Sequence, residues 1–416
     1  MRLETILNSC EKYKRFTYKR ASWFDKDGKR CLQVQLLPRK NSQAICSGCK
    51  KPASCYDHLG VRDFEFVPLW GYQIYFRYHM RRVNCKKCKV KVESVPWSNG
   101  KETMTKTLMI FVASWAKKLS WQETARSFHL SWKKIFFAVQ YVVEWGLAHR
   151  QLEDVKSIGV DEVAWRKGHN YLTLVYQIDK HCVRLLWIGK ERTAKTFLRF
   201  FRMFGKSNTA KLKHICSDMW KAYIKVIKKK APQAIHILDR FHIVAMVNKA
   251  IDEVRASEHR QMQKDGYEPV LKKSRWLLVK RKENLTAKQD IKLKELVSYN
   301  LKTVRAYLLK EDFQGFWQYV SPTWAGKFLT RWCTRVMRSK IEPLKKVAKT
   351  LRRHQPLILN WFKAKKAFSS GIVEGLNNKA KLATKKAYGF RTFKCIEIAL
   401  YHQLGRLNEP PTTHRF

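Results

Sequence analysis

Apolar and polar residues follow different patterns in successive regions of this chain. Up to about residue 97 the apolar residues come in short runs, such as Tyr72–Phe76, which is typical of β-strands. From about Thr103 to Trp145 they recur with a helical period. The first region therefore predicts a small β domain, and the second predicts a group of helices.

Two capping signals divide the helical region. Ser120 followed by Glu123 predicts a capping box, and Ser131 predicts a second N-cap. Two short helices joined by a tight turn are the outline of a helix-turn-helix, and the second helix would carry Lys133 and Lys134 as candidate DNA contacts. Any helical hairpin would show the same pattern, so the interpretation is a hypothesis.

Beyond the helices the chain returns to strand patterns. Three apolar runs with short connections, Ser157–Val163, Tyr171–Tyr176 and Val183–Ile188, predict an antiparallel meander. Two later strands, His214–Ser217 and Ile235–Leu238, alternate with helical segments. The predicted order of elements is βββαβαβα.

A helical region that is rich in Lys, Arg and Trp follows, from about residue 255 to 365. A final helix is expected from near Ser370 to about Gly389, since a glycine commonly follows the last residue of a helix. Together the patterns predict a multidomain α+β protein. Its parts would be a β domain at 1–97, a helical domain at 98–150 and an α/β domain at 151–416 that carries the helical region as an insertion.

The chain is strongly basic. Its 416 residues include 85 Lys and Arg against 33 Asp and Glu, which gives a formal net charge of +52 at pH 7. This excess indicates a polyanionic partner, and the dispersed positions of the basic residues favour nucleic acid over an anionic membrane surface. Most of the 15 Trp residues are expected in cores, while some could stack on bases.

The sequence predicts neither a membrane segment nor a secretory signal. No run of about 18 uncharged apolar residues is present, and residues 1–4 do not lead into a signal-peptide hydrophobic region. We therefore expect a cytoplasmic protein. In that reducing compartment the 11 Cys residues favour metal ligands or buried thiols over disulfides.

Two C-x-x-C pairs stand out in the first region: Cys46 with Cys49, and Cys85 with Cys88. Each pair can place two thiolates on one tetrahedral Zn²⁺. Cys55 and His58 are close enough in sequence to compete as ligands, and redox thiols are an alternative. A closed site of four Cys leaves no open coordination position, so the predicted zinc is structural.

Acidic residues are few, so those at strand ends are informative. Asp161 lies inside the first apolar strand, where a carboxylate is costly unless it is paired or binds metal. Alternation places Glu162 on the opposite face, with Ile158 and Val160, so we favour Asp161. A bend after Val160 would reverse that choice.

Two further Asp residues end later strands. Asp218 and Asp239 each precede a helix, where an Asp is also a good N-cap. Adjacent strand ends could gather either of them with Asp161 at one edge of a sheet.

Glu374 lies near the start of the final helix, where the helix dipole alone would favour it. Asn378, Lys381 and Lys385 follow at i+4, i+7 and i+11 and form one stripe. A carboxylate ahead of an amide and two cations suits a metal ion beside a DNA backbone.

Carboxylates in such a basic chain suit phosphodiester chemistry. Cleavage by water and strand transfer by a 3′-hydroxyl need two Mg²⁺ or Mn²⁺ ions about 3.5 to 4 Å apart. Hard oxygen ligands hold such ions.

Several motifs of the chain occur together in one known family. Besides the two Cys pairs they are Ile158-Gly159-Val160-Asp161-Glu162, Ser217-Asp218-Met219-Trp220-Lys221-Ala222-Tyr223, Asp239-Arg240-Phe241-His242, Ser370-Gly371-Ile372-Val373-Glu374-Gly375-Leu376-Asn377-Asn378 with Lys381, and Tyr388-Gly389-Phe390. With them the chain resembles, over nearly its full length, the ISL-three family of bacterial insertion-sequence transposases.

The resemblance implies an RNase H-like catalytic domain with a helical insertion and an acidic triad of Asp161, Asp218 and Glu374. It implies a DDE transposase that binds terminal inverted repeats and target DNA, works as a homodimer or larger assembly on DNA, and is associated with the nucleoid. The resemblance leaves Asp239 as a conformational or substrate-facing residue. A non-catalytic zinc-containing DNA-binding regulator and a metal-dependent nuclease of the same fold are the alternatives.

Overall fold

The computed structural model of the chain describes residues 2–166, 168, 170–267, 270–366, 371–387 and 389–411. The chain divides into two compact units. The first comprises Met1–Arg150 and Leu382–Phe416, and the second comprises Gln151–Lys381. Ser370, the predicted start of the last helix, and Tyr388 of the last motif lie outside the described residues.

The first unit begins with a helix and a β-sheet, as the short apolar runs predict. Its elements are α1 (Leu3–Cys10), β1 (Phe16–Lys26), β2 (Lys29–Pro38), β3 (Ala44–Ile45), β4 (Pro52–Leu69), β5 (Tyr72–Cys85) and β6 (Lys89–Val92). The sheet order is β1-β2-β5-β4-β3, and β6 pairs with β5. The long strands β4 and β5 form a hairpin whose two loop residues, Trp70 and Gly71, have φ of 52° and 81°, as a tight hairpin turn requires.

Aromatic rings fill the core of this sheet. Trp97 is 1% exposed and meets the rings of Phe16, Phe64 and Tyr78 edge to face, with centroids 4.8, 5.9 and 5.3 Å away. Such pairs stabilise a core beyond the area that they bury. The core therefore extends to the end of the predicted β region.

Three helices follow: α2 (Lys106–Lys118), α3 (Trp121–Ser127) and α4 (Trp132–Ala148). The predicted capping box is confirmed, because Glu123 N donates to Ser120 Oγ at 3.1 Å and Ser120 N donates to a carboxylate oxygen of Glu123 at 2.7 Å. Ser131 Oγ accepts from Lys134 N at 3.3 Å. Helices α3 and α4 thus begin where the caps predict, and α2 is an additional helix ahead of them.

The second unit contains a five-stranded sheet. Its strands are β7 (Ser157–Arg166), β8 (Asn170–Asp179), β9 (Cys182–Lys190), β10 (His214–Ser217) and β11 (Ile235–Leu238). The order is β11-β10-β7-β8-β9. The first three strands form the predicted antiparallel meander, and β10 and β11 run parallel to β7.

Helices alternate with the later strands. They are α5 (Ala194–Phe204), α6 (Lys206–Ala210), α7 (Lys221–Lys230) and α8 (Arg240–Lys264). The predicted order of elements is confirmed, with the short α6 as an extra helix. Phe197, Phe200 and Phe204 of α5 are buried against Ile158 and Val160 of the central strand, within one apolar core.

The predicted helical region lies between α8 and the last part of the unit. It contains α9 (Arg275–Val279), α10 (Ala287–Ser298), α11 (Lys302–Gln314), α12 (Pro322–Arg338) and α13 (Glu342–Lys363), with two 3₁₀ turns at Lys282–Asn284 and Gly315–Gln318. Two helices complete the chain: α14 (Gly371–Lys386) and α15 (Phe393–Leu404). Helix α14 ends three residues before Gly389, which has a φ of 92°. In the described part of the chain, no helix combines the length and the apolar character needed to cross a bilayer.

Candidate active site and cysteine cluster

Three parallel strands bring acidic residues to one side of the second unit's sheet, at the level where β10 and β11 end and β7 continues to Arg166. Cys216 lies beside Gly159, and Ser217 lies beside Leu238. Carrying this register forward places Asp161, Asp218 and Asp239 level with each other on adjacent strands, which are about 4.8 Å apart in any sheet. The sequence order of the strands predicts this gathering, whereas the level register is a finding of the structure.

Helix α14 packs on the face of β7 that carries Asp161. A Cβ on Gly159 would lie 2.5 Å from Cγ2 of Val373, so only glycine allows the helix this close. Two residues further along β7, Asp161 Oδ2 accepts a hydrogen bond from Asn377 Nδ2 at 2.6 Å. The helix that carries Glu374 is therefore fixed directly against the central strand.

Asn377 contacts the acidic site, although the sequence analysis gave it no role. It is buried, and its Oδ1 accepts a hydrogen bond from the Tyr176 hydroxyl at 2.8 Å. Because both ends of the amide are bonded, its orientation is fixed and its NH₂ group faces the carboxylate of Asp161. The signal available in the sequence was its spacing, one helical turn after Glu374.

Glu374 lies in the first turn of α14 and is half-buried. Residues three apart on a helix have Cβ atoms about 5 to 6 Å apart, so Glu374 and Asn377 are neighbours on the surface of α14. Asn378, Lys381 and Lys385 are exposed along the same helix. Among the described residues only the four Cys discussed below bring three or more ligand atoms within 4.8 Å of each other, so the carboxyl groups of the predicted triad are less tightly grouped.

Glu162 reaches the acidic edge from the opposite face, together with an arginine that the sequence did not single out. Arg192, in the connection between β9 and α5, places Nε 2.7 Å from Glu162 Oε1 and a terminal nitrogen 3.7 Å from Asp218 Oδ2. Its guanidinium lies 4.7 Å from the ring centroid of Trp220. Arg192 thus links Glu162 to Asp218.

Asp218 and Asp239 differ in their local roles. Asp239 is the N-cap of α8, with Oδ1 accepting from Phe241 N at 2.7 Å. Asp218 accepts from Trp220 N at 3.0 Å, but α7 begins only after Trp220, so Asp218 closes a turn and does not cap the helix. Helix capping therefore explains why an Asp is present at position 239, but it does not explain the Asp at position 218.

His242 joins the two outer acids. Its Nε2 lies 3.7 Å from Asp239 Oδ2 and 3.9 Å from Asp161 Oδ1, and its side chain is half exposed. A histidine at this position can place positive charge between the two carboxylates when it is protonated.

The site carries more negative charge than its own residues neutralise. Burial raises the pKa of Asp161, and repulsion from Asp239 and Asp218 adds to this rise. Burial and repulsion from Asp218 raise the pKa of Glu162 to about 7, and its buried Oε2 has no hydrogen-bond partner among the residues that the structure describes. Clustered carboxylates with raised pKa values form a site that a cation stabilises.

The four predicted Cys ligands meet in the first unit. The sulfur atoms of Cys46, Cys49, Cys85 and Cys88 all lie within 4.8 Å of each other, and the Cys49 and Cys85 sulfurs are 3.5 Å apart. Tetrahedral Zn–S bonds of 2.3 Å require sulfur atoms about 3.8 Å apart, so the cluster has the size of a zinc site. Backbone N–H groups of Cys88 and Lys87 lower the pKa of Cys85 to about 7, which favours the thiolate that binds metal. Cys55 is exposed and lies outside the cluster.

The predicted DNA contacts on α4 are in different surroundings. Lys134 forms an ion pair with Glu65 of the β-sheet, and Lys133 is exposed with its ammonium 5.7 Å from the ring centroid of Phe137. Lys133 is therefore free to meet a phosphate, whereas Lys134 already has a carboxylate partner.

An acidic sheet edge in a chain with a net charge of +52 fits an enzyme that acts on the DNA backbone. Comparison with known families gives the class: the family model for DDE transposases of the ISL3 type, described as a transposase, matches residues 158–400. This range covers more than half of the chain. The chain belongs to the ISL3 family of transposases and is a DNA transposase.

Individual relatives agree over almost the whole length. The chain is 27% identical to the transposase for insertion sequence element IS1001 of Bordetella parapertussis over 389 residues, which cover 93% of this chain and 94% of the relative. It is 26% identical to the transposase for insertion sequence element IS1557 of Mycobacterium tuberculosis over 415 residues, covering 93% and 92%. The similarity includes both units.

Proposed function

We propose that this transposase cuts and rejoins DNA at the sheet edge, with Asp161, Asp218 and Glu374 as the catalytic carboxylates. The observation that carries the proposal is the hydrogen bond from Asn377 to Asp161. It fixes the helix that carries Glu374 against β7, which carries Asp161. Asp218 follows the neighbouring strand β10 at the same level as Asp161. Residues that are far apart in the sequence thereby share one edge.

An RNase H-like fold for this unit is part of the proposal. Its support is the antiparallel meander followed by two parallel strands with helices between them, in the order that the family resemblance implies. The helical segment between α8 and α14 corresponds to the proposed insertion.

Two Mg²⁺ or Mn²⁺ ions suit the donor set. Carboxylate oxygens are the ligands that these hard cations prefer. Burial raises the pKa of Asp161 and of Glu162, and repulsion from neighbouring carboxylates adds to both rises, so a bound cation would stabilise the ionised forms. When bound, such ions activate the attacking hydroxyl and stabilise the leaving oxygen. Asp161, Asp218 and Glu374 would hold them, Asn377 would orient Asp161, and Arg192 would keep Glu162 and Asp218 in place.

Asp218 is preferred to Asp239 because of the capping geometry. Asp239 is engaged as the N-cap of α8, whereas the helix after Asp218 begins without its help. A carboxylate that does not cap its helix is available to a metal ion.

For the first unit we propose binding of the terminal inverted repeats. The Cys cluster would hold a structural Zn²⁺ that supports the sheet, and α3 with α4 would form the helix-turn-helix. Exposed Lys133 is the better candidate for a phosphate contact, since Lys134 is paired with Glu65.

On α14, Asn378, Lys381 and Lys385 would contact the DNA backbone. Because transposition joins two element ends to a target, the active form is proposed to be at least a homodimer on DNA.

The test uses purified full-length protein, a duplex that carries one element end with its flanking DNA, a target duplex and Mg²⁺. We expect nicked and joined products with the wild type. Asp161→Asn should abolish both products and keep end binding, while the matched control Asp154→Asn, at an exposed loop position, should keep full activity.

Other results decide between the alternatives. Specific binding without cleavage in Mg²⁺ or Mn²⁺ would favour the non-catalytic regulator, and cleavage without joined products would favour a nuclease. Loss of activity in Asp239→Asn but not in Asp218→Asn would reverse the assignment of the second Asp.

A further inference from the structure

The second unit contains a cavity of about 340 Å³ near the acidic edge of the sheet. Two of its lining residues, Arg240 and Phe241, directly follow Asp239 at the end of β11. The other walls come from the later part of α8 and from the helical segment α9 to α13. This volume is at the lower end of the range for small-molecule sites.

Aromatic rings form much of the cavity wall. The rings of Trp317 and Trp361 meet edge to face, with centroids 5.3 Å apart, and Phe313 meets Trp317 at 6.1 Å. Phe241 differs from these buried rings because it is 54% exposed, and it has no ring contact with another described aromatic residue. A ring that lines a cavity and keeps its face open can stack on a flat ligand.

The cavity also holds a polar group without a partner. The Asn248 side chain makes no hydrogen bond to a described residue, and its Oδ1 is buried. The buried Trp317 Nε1 likewise has no acceptor within the described part of the chain. An amide offers a donor and an acceptor side by side, the pattern that pairs with the edge of a nucleobase.

Two arginines add positive charge. Neither Arg240 nor Arg281 forms an ion pair with a described carboxylate, and the Arg240 guanidinium lies 5.0 Å from the ring centroid of Trp317. The nearby Lys310 is different, because its ammonium donates to two backbone carbonyls and to Glu311. The arginines are therefore available to a phosphate, whereas the lysine is committed to the fold.

We propose that this cavity receives a nucleobase turned out of the DNA duplex beside the scissile phosphate. The base would stack on Phe241 and present its edge to Asn248, and its flanking phosphate would meet Arg240 and Arg281. Removing a base from a duplex costs unstacking energy, which stacking on an aromatic side chain returns. This inference rests on the proposed function, because a DNA strand reaches the cavity only when its phosphate lies at the neighbouring sheet edge.

The experiment measures binding of full-length protein, in Ca²⁺, to element-end duplexes in which each nucleotide near the cleavage position is replaced in turn by an abasic one. Wild type should show one position where loss of the base weakens binding by about tenfold, the margin by which stacking and hydrogen bonding in the cavity exceed the cost of unstacking the base. At that position Phe241→Ala should bind the intact duplex about tenfold more weakly and be insensitive to the missing base. Asn248→Leu should show a smaller effect, about three- to tenfold, from loss of hydrogen bonding.

The variants are chosen to keep the fold. Alanine at position 241 keeps the backbone N–H that Asp239 accepts, and leucine at position 248 replaces an unpaired buried acceptor by an apolar group of similar size. Trp324→Ala removes another exposed aromatic side chain of the same unit, outside the cavity, and should retain the tenfold sensitivity of the wild type.

If the Phe241→Ala substitution and the missing base together weaken binding no more than either change alone, at one position, the cavity is the site of the base. Additive losses at every position, or sensitivity to the missing base that persists in Phe241→Ala, overturn the inference. Cleavage of the intact duplex in Mg²⁺ is measured with the same preparations. If the wild type cleaves but the losses are additive, the cavity does not bind a base and the proposed function stands. If the wild type does not cleave, the proposed function is refuted.

Discussion

Asn377→Ala is the substitution that most directly tests how the two halves of the acidic site are held together. The change removes the hydrogen bond to Asp161, and bonds to charged groups contribute about 1.5 to 3 kcal/mol. It also leaves the Tyr176 hydroxyl, which is fully buried, without its acceptor. We expect the free energy of unfolding of the second unit to fall by about 2 to 5 kcal/mol.

The effect on catalysis has a separate origin. A side chain that orients a metal ligand typically changes metal affinity or activity by about 10- to 100-fold. We therefore expect the Mg²⁺ concentration for half-maximal cleavage to rise by about that factor in Asn377→Ala. The assay is strand cleavage of an element-end duplex at increasing Mg²⁺, alongside urea unfolding followed by circular dichroism.

Tyr176→Phe provides the matched control, since it removes the hydroxyl and keeps the bond between Asn377 and Asp161. It should destabilise the unit by about 1 to 3 kcal/mol, because the buried Asn377 Oδ1 loses its donor, and leave the Mg²⁺ dependence close to that of the wild type. Equal shifts of the Mg²⁺ midpoint in both variants would show that Asn377→Ala impairs cleavage only by destabilising the fold. Unchanged stability and cleavage in Asn377→Ala would refute the role of the amide.

Three further predictions test other parts of the structure. Gly159→Ala should lower the free energy of unfolding by about 1 to 3 kcal/mol, because the added Cβ would lie 2.5 Å from Cγ2 of Val373. Adding Val373→Ala should restore the lost stability. Lack of rescue in urea unfolding would disprove this packing. Stability should fall as pH rises from about 4.5 to 7, because folding raises the pKa of Glu162 to about 7 and the folded chain then binds the proton more tightly than the unfolded chain. Glu162→Gln should flatten that part of the profile, and an unchanged slope would contradict the assignment. Zinc chelation should increase amide exchange in β5 and β6, beside Cys85 and Cys88, and leave β7 to β11 protected; equal loss in both sheets would contradict a local structural role.

The sequence predicted features that depend on neighbours along the chain. The caps at Ser120 and Ser131 are local hydrogen bonds, and the structure has them where the residues indicate. Strand alternation correctly placed Asp161 and Glu162 on opposite faces of β7, with Glu162 on the side of the apolar core. The strand order then predicted that the strand ends would lie side by side.

Contacts between distant segments were not predictable in this way. Arg192 follows an ordinary strand and carries no motif, so only the folded chain shows that it reaches both Glu162 and Asp218. Alternation also suggested that only one of Asp161 and Glu162 would share the site. Glu162 nevertheless shares Arg192 with Asp218, because β10 ends at Ser217 and no strand beyond it separates the two faces of β7 on that side. The role of Asn377 depends on how closely α14 packs on Gly159, which no local pattern records.

The hydrogen bond between Asn377 and Asp161 joins residues 216 positions apart, and this separation has a consequence during synthesis. A ribosome adding about 5 to 20 residues per second needs on the order of 10 to 40 seconds to cover that distance. Throughout that interval the growing chain has Asp161 without the helix that orients it, so under the proposed function DNA cleavage would begin only after α14 has been made. We expect a chain that ends at Lys366 to show no cleavage, and because it also lacks Leu382–Phe416 of the first unit, both parts of the enzyme would be completed only at the end of synthesis.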